Sequence, residues 1–257
     1  KVRELAKKLG YRPNLLASGL RNQCSKIIGV IVPDLESAFF VKAIKGINDA
    51  CKKQENDIFI CQSNESMSQE KMLLQILTNH RVDGILISLS RETNSYNHIK
   101  KCLDYQLPLV MFDRVKDDLN CQKVVIDDEH SAFQATEYLQ EKGYEEIIFL
   151  SGPSNLNICK NRSKGYLSAR GNSITNIFST DFSSEKTSEA VRAILNEGKP
   201  DAILCINDKV AVDTISVLKK MGYKVPEQIA VMGFSNDSFG EIVEPSLTTV
   251  EQYPYKM

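Results

Sequence analysis

No G-x-G-x-x-G turn, no G-x-x-x-x-G-K-[ST] loop and no G-x-S-x-G elbow occurs in the 257 residues. The chain thus lacks the usual glycine-rich phosphate cradles and the strained serine turn of α/β hydrolases. "GFSND" at 233–237 comes nearest to the elbow but has no second glycine. Histidine is scarce: His80, His98 and His130 stand far apart without metal-ligand spacing, and each reads as a surface or helix-end residue. Seven cysteines include no C-x-x-C pair, and several lie inside apolar runs such as "IFICQS" and "AILCIND". Cysteine used as a small hydrophobe suits a reducing compartment better than a disulfide framework. No apolar run reaches the ~20 residues of a membrane span, and no charged-then-apolar leader precedes the body. The expectation is a cytoplasmic protein away from membranes, with no enzymatic activity, bound metal or cofactor.

What is present is unevenly distributed. The net charge is only -1, yet residues 1–26 hold seven basic residues against Glu4 alone. A basic arm on a mildly acidic body points to a polyanionic partner or to a solvated helix. From residue 27 onward, β-rich runs alternate with helix-period segments. The runs are "IIGVIVPD", "DIFICQS", "VDGILISLS", "LPLVMFD", "VVIDD", "EIIFLSG", "NIFSTDF", "DAILCIND" and "IAVMGFSND". Continuous apolar runs are how strands read when helices cover both faces. Between them, Phe40, Ile44, Ile47 and Cys51 recur at helical spacing, as do Ala132, Ala135, Thr136 and Leu139, and Ala211, Ile215 and Leu218.

The expected fold is α/β, with two tandem parallel-sheet lobes. Residues 27–127 read as the N-terminal lobe, 128–252 as the C-terminal lobe, and 253–257 as a crossover back to the first. Open α/β sheets bind ligands beyond the carboxyl ends of their strands. Those ends carry "PDLESAFF", "SLSRET", "FDRV", "SGPSN", "DFSS", "INDK" and "GFSNDS", so two facing lobes would gather polar and aromatic residues around one cleft. The strand-end carboxylates Asp34, Asp113, Asp208 and Asp237 suit general acids or bases, acceptors for sugar hydroxyls or helix caps equally well, and Asn207 or Asp208 would cap the helix that follows.

Two long stretches, "KVRELAKKLGYRPNLLASGLRNQCSKIIGVIVPDLESAFF" and "AILCINDKVAVDTISVLKKMGYKVPEQIAVMGFSNDSFGEIVEPSLTTVEQ", resemble the LacI family of bacterial transcription regulators. "RVDGILIS", "LPLVMFDR" and "NRSKGY" fall between them in the expected order. The resemblance implies a body of the periplasmic-binding-protein type, preceded in residues 1–26 by the end of a helix-turn-helix domain and a hinge helix. It also implies a sequence incomplete at both ends and several residues short between Ala169 and Asp181. The implied partners are operator DNA, a carbohydrate-like small-molecule effector and a second copy of the chain, paired through the first lobe as a homodimer. The implied function is an effector-controlled regulator, most simply a repressor. A solute-binding protein that delivers sugars to a transporter shares the lobed body, but the basic segment and unpaired cysteines argue against it.

"NLLASGLR" resembles the hinge helix, with Asn14 as its N-cap after Pro13. So short a helix is marginal alone, and Gly19 costs it roughly 1 kcal/mol relative to alanine. The resemblance implies DNA contacts at Tyr11, Asn14, Ala17, Leu20 and Arg21. Leu20 would wedge into the minor groove and Arg21 would meet phosphates. In the cleft it implies ligand contacts at Phe39, Phe40, Ser90, Asp113, Arg162, Phe182, Asn207, Ser235 and Asp237. Phe39, Phe40 and Phe182 would stack on a ring, while Asp113 and Asn207 would bond polar groups. Arg162, expected at the cleft mouth, would fork to hydroxyls or a carboxylate. Ser235 stands where the family has aspartate, so Asp237 is a candidate for that role.

Overall fold

The apolar runs become strands because neither of their faces meets water. In the computed structural model, which describes residues 24–171 and 176–257 together with positions 5, 8 and 9, they build two parallel sheets. The hinge segment and the expected DNA contacts Tyr11, Asn14, Ala17, Leu20 and Arg21 lie outside the described residues, as do positions 172–175 of the stretch read as shortened.

The first lobe runs β1 (Ile27–Val32), α1 (Ala38–Lys53), β2 (Asp57–Gln62), α2 (Met67–Asn79), β3 (Gly84–Ile87), α3 (Asn97–Asp104), β4 (Leu109–Phe112) and β5 (Gln122–Val124). Its sheet order is β2-β1-β3-β4-β5. α1 covers one face, packing Phe40, Ala43, Ile44 and Ile47 with Val30, Val32 and Phe112. α2 and α3 cover the other, packing Leu74, Leu77, Ile99 and Cys102 with Ile31, Ile85, Ile87 and Met111.

The second lobe runs α4 (Asp128–Glu141), β6 (Ile147–Ser151), α5 (Asn157–Ala169), β7 (Ile177–Ser179), α6 (Ser184–Glu197), β8 (Ala202–Cys205), α7 (Asp208–Lys220), β9 (Ala230–Phe234) and β10 (Thr248–Val250). The order β7-β6-β8-β9-β10 repeats the winding of the first lobe. β6, β8 and β9 are buried throughout, and each fully buried large apolar side chain there contributes about 1.5–3 kcal/mol. α4 and α5 approach at Gly165, where a Cβ would run into the Glu129 carbonyl oxygen. Tyr166, beside it, is fully buried and donates to the Ile147 carbonyl at 2.7 Å.

Two differences from the sequence reading have simple causes. β10, "TTV", has no apolar run to announce it and is held by pairing with β9. The run "VVIDD" adds only Val124 to β5, because Asp127 caps α4 by accepting from the His130 amide at 3.0 Å.

Both ends of the body are tied to the first lobe. The Asp83 carboxylate accepts from the Ser25 amide and hydroxyl (2.7 and 2.9 Å) and from the Lys26 amide (2.7 Å). Burial opposes its charge, yet these bonds and one from Cys24 hold the Asp83 carboxyl below its usual range. At the other end the Tyr255 hydroxyl donates to Asp49 of α1 at 3.0 Å. Gly46 leaves room there for the Tyr255 carbonyl.

Candidate functional site

The carboxyl ends of the two sheets come together where the lobes touch, in a cleft bridged by hydrogen bonds, and several loops there hold residues in the left-handed region. Glu65 after β2, Asp113 after β4, Phe182 after β7, and Ser235 and Asn236 after β9 all have positive φ, at 58, 57, 71, 128 and 52°. Non-glycine residues rarely adopt this region, and such residues cluster at binding and switch sites.

The chain crosses the cleft repeatedly. Arg91, at the end of the first lobe's third strand, donates to the Asp181 carbonyl, and its own carbonyl accepts from Asn155 at 2.8 Å. Asn157, in the first turn of α5, accepts from the Val115 amide at 2.8 Å and donates to the Asp113 carbonyl at 3.0 Å. Lys42 of α1 donates to the Asn236 carbonyl at 2.8 Å. Arg114 places its guanidinium 5.8 Å from the Phe40 ring centre on its own lobe and 5.4 Å from the Phe182 ring centre on the other. None of these crossing residues was among the sequence candidates except Phe40, Asp113 and Phe182. Arg114 was legible as the basic residue that ends "FDR"; the others have no signature short of the lobes' packing.

The nine candidates share this region but differ in how their polar groups are engaged. Phe39 and Phe40 are buried and meet edge to face, with ring centres 5.2 Å apart. Phe182 lies over Gly152, where a Cβ would strike its ring. Ser90 is wholly buried; its hydroxyl pairs with Thr93 at 2.8 Å and its amide donates to Glu70 at 2.7 Å. Glu70 also lies 2.7 Å from His98 Nε2, so His98, a helix-end residue in the first turn of α3, turns its ring inward instead of into solvent. Asn207 caps α7 by accepting from the Val210 amide at 2.8 Å, which leaves its side-chain NH2 as its donor. Ser235 is buried, and its amide donates to Val250 at 2.9 Å.

Arg162 does not stand at an open mouth. It is 3% exposed, donates to Asp128 at 2.8 Å and to the Ile206 carbonyl, and lies 4.4 Å from the Phe234 ring centre. The sequence placed it outside an apolar run, but packing of α5 against α4 covers it.

The acids divide into satisfied and unsatisfied. Glu65 takes Arg114 at 2.8 Å on both oxygens, and Asp128 takes Arg162. Asp208 is buried, accepting from the Asp237 amide at 2.8 Å and from the Thr249 hydroxyl at 2.5 Å. Burial nonetheless raises the Asp208 carboxyl above its usual range. Asp113 receives no hydrogen bond on its carboxylate among the described residues; its nearest cation is Arg114 Nε at 4.0 Å. Burial pushes Asp113 up to about 7 against the pull of Arg114. Asp237 has a buried Oδ1 with no partner. Burial, reinforced by the Asp208 charge, lifts it to about 6. Arg114 Nε is likewise buried without a partner. Among the described residues no cluster of His, Cys, Asp and Glu has a metal-holding arrangement.

Twin sheets of the same winding, joined by repeated contacts across a polar and aromatic cleft, define a two-lobed α/β binding body of the periplasmic-binding-protein type. Residues 25–256 match the family described as periplasmic binding proteins and sugar binding domain of the LacI family. The chain is 30% identical over 258 residues to the HTH-type transcriptional repressor PurR of Aliivibrio salmonicida, covering 98% of this chain and 77% of that protein. It is 31% identical over 263 residues to catabolite control protein A of Priestia megaterium, covering 99% and 78%. Among solved structures, the transcription regulator CcpA of Lactococcus lactis superposes with a TM-score of 0.82 at 23% identity, over 90% of this chain and 86% of that one. The chain belongs to the LacI family of transcriptional regulators.

Proposed function

We propose that the chain is the sensing body of a DNA-binding repressor that acts as a cytoplasmic homodimer and binds a sugar or sugar derivative between its lobes. The observation that carries this reading is the cleft itself. Aromatic rings and unspent hydrogen-bonding groups from both lobes converge there, and the lobes are already linked through side chains that can exchange partners. Phe39, Phe40 and Phe182 supply flat apolar surface for a ring. Asp113, Asn207 and Asp237 supply acceptors and a donor. Ser90, Arg162 and Ser235 hold the walls and reach the ligand at their edges. The description of the matched family as a sugar binding domain supports the carbohydrate class, and the relatives named above, both regulators, support regulation over catalysis.

An effector that favours one spacing of the lobes shifts the equilibrium between spacings by its differential affinity. The clamp of Asp83 on residues 24–26 transmits that shift to the basic arm. There Leu20 wedges into the minor groove, Arg21 meets phosphates, and Tyr11, Asn14 and Ala17 complete the DNA contacts. Pairing through the first lobe has a suitable surface. Phe59 and Ile60 of the edge strand β2, Val41 of α1, and Met72 and Ile76 of α2 are all exposed, and such patches mark association sites. A two-fold dimer would present two arms to a palindromic site. The test is a thermal-shift screen of sugars, sugar alcohols, sugar phosphates and nucleosides on the parent protein and on Phe182→Ala. A carbohydrate that stabilises the parent but not the variant supports the reading. Stabilisation by nucleosides alone removes the carbohydrate assignment.

A further inference from the structure

Resting on the reading of the cleft as an effector site, we propose that its effector is a cation: a polyhydroxyl compound carrying a protonated amine, not a phosphate or carboxylate. Each of the two buried arginines is committed to its own carboxylate, Arg114 to Glu65 and Arg162 to Asp128. The one buried donor they leave without a partner, Arg114 Nε, already lies 4.0 Å from the Asp113 carboxylate, so an anion could be received only by drawing a cation away from a buried acid, which is a costly exchange.

The remaining acids are in excess. Asp113 faces Arg114, Asp128, Arg162 and Glu65, two cations already paired with two anions. Asp237 faces Asp208 and Glu251 with Lys42 as its one neighbouring cation, and the Lys42 ammonium donates to a backbone carbonyl. Asp113 on the first lobe, whose carboxylate has only the long 4.0 Å contact with Arg114 Nε, and Asp237 on the second, whose Oδ1 has no partner, therefore hold unspent acceptor capacity. A ligand ammonium with flanking hydroxyls would supply both the donors and the charge. The aromatic lining agrees, because Phe40 and Phe182 already hold a cation, the Arg114 guanidinium, at ring-contact distance.

Both acids are pushed toward their neutral forms, Asp113 to about 7 and Asp237 to about 6. A cation bound beside them favours the ionised forms. Binding should therefore strengthen as pH rises through this window and should release protons within it.

The test is calorimetry of the full-length protein with three millimolar probes of one frame: glucamine, sorbitol and sorbitol 6-phosphate. The alkyl amine of glucamine stays protonated through pH 8 as a lysine does. The expected result is glucamine binding about ten- to a hundredfold tighter than sorbitol at pH 8. The gap should narrow at pH 5, sorbitol 6-phosphate should bind weakest, and heats near pH 6.5 should vary with the ionisation enthalpy of the buffer. In Asp113→Asn combined with Asp237→Asn, with folding checked by circular dichroism, the preference for glucamine should vanish. Preference for the phosphate, or no discrimination among the probes including binding of none, overturns the proposal. So does persistence of the preference in a folded double variant. A parallel DNA-binding assay separates the two claims. DNA binding without amine preference leaves the regulator and removes the cation; amine preference without DNA binding does the reverse.

Discussion

Replacing Asp113 by asparagine should make the protein more stable at neutral pH and remove part of its pH dependence. The substitution suits the backbone, because Asp113 sits at φ 57° and asparagine is tolerated in the left-handed region. Folding moves this carboxyl from 3.8 to about 7 through burial. That is about three pH units, or about 4 kcal/mol of cost for holding the ionised form in place. Because the folded value is raised, the folded state binds the proton more tightly than the unfolded chain. The penalty is absent below about pH 4, grows as pH rises, and is complete above about pH 7. Urea unfolding of parent and variant from about pH 4 to about pH 8 would read it. The two midpoints should be similar at the acid end and should separate in favour of the variant as pH rises, by up to about 4 kcal/mol. Parallel curves, which would mean an unshifted carboxyl, or a parent that gains on the variant with rising pH, which would mean a well-paired anion, would each refute the reasoning.

Arg162→Ala should cost about 3–5 kcal/mol in urea unfolding by leaving Asp128 buried without its partner. Recovery by Asp128→Asn in the same chain would confirm the cause, and a neutral Arg162→Ala would place the arginine at the surface after all. Gly165→Ala should cost at least about 2 kcal/mol, since its Cβ overlaps the Glu129 carbonyl and α4 and α5 must separate; an unchanged melting temperature would show that the helices have slack. Ile60→Glu should convert a dimer to a monomer in sedimentation with little loss of fold, because the side chain is already 46% exposed on an edge strand. Leu20→Ala should weaken specific DNA binding more than non-specific binding, the signature of a wedge that acts only on kinked, matched DNA.

The lobed architecture was legible because buried parallel strands leave a strong sign, a continuous apolar run, and the runs recur at the βα rhythm. Where that sign is absent the reading fails: "TTV" of β10 is a strand only because β9 lies beside it. The strand-end positions of Asp113, Asn207 and Asp237 followed from the same logic, since a strand's end locates its side chains. What the sequence could not disclose is which charges are spent. Arg162 reads as a free fork until α4 brings Asp128 to it. Glu65, in the loop after β2, and Arg114, after β4, become a pair only when their two strands enter one sheet. His98 reads as a surface or helix-end residue, and its inward pairing follows only when the turn carrying Ser90 and Thr93 folds over Glu70. Pairings between residues distant in sequence decide the electrostatics of the cleft, and local pattern carries no record of them.

The central claim, that an effector in the cleft controls DNA binding through the first lobe, is tested most directly by selecting duplexes bound by the full-length protein from a random DNA pool. Their affinity is then measured with and without the best cleft ligand. The account predicts enrichment of a two-fold symmetric site and a change in affinity of about tenfold or more on adding the ligand, equivalent to about 1.4 kcal/mol of coupling. No enriched sequence, or a symmetric site whose affinity no cleft ligand alters, would contradict it.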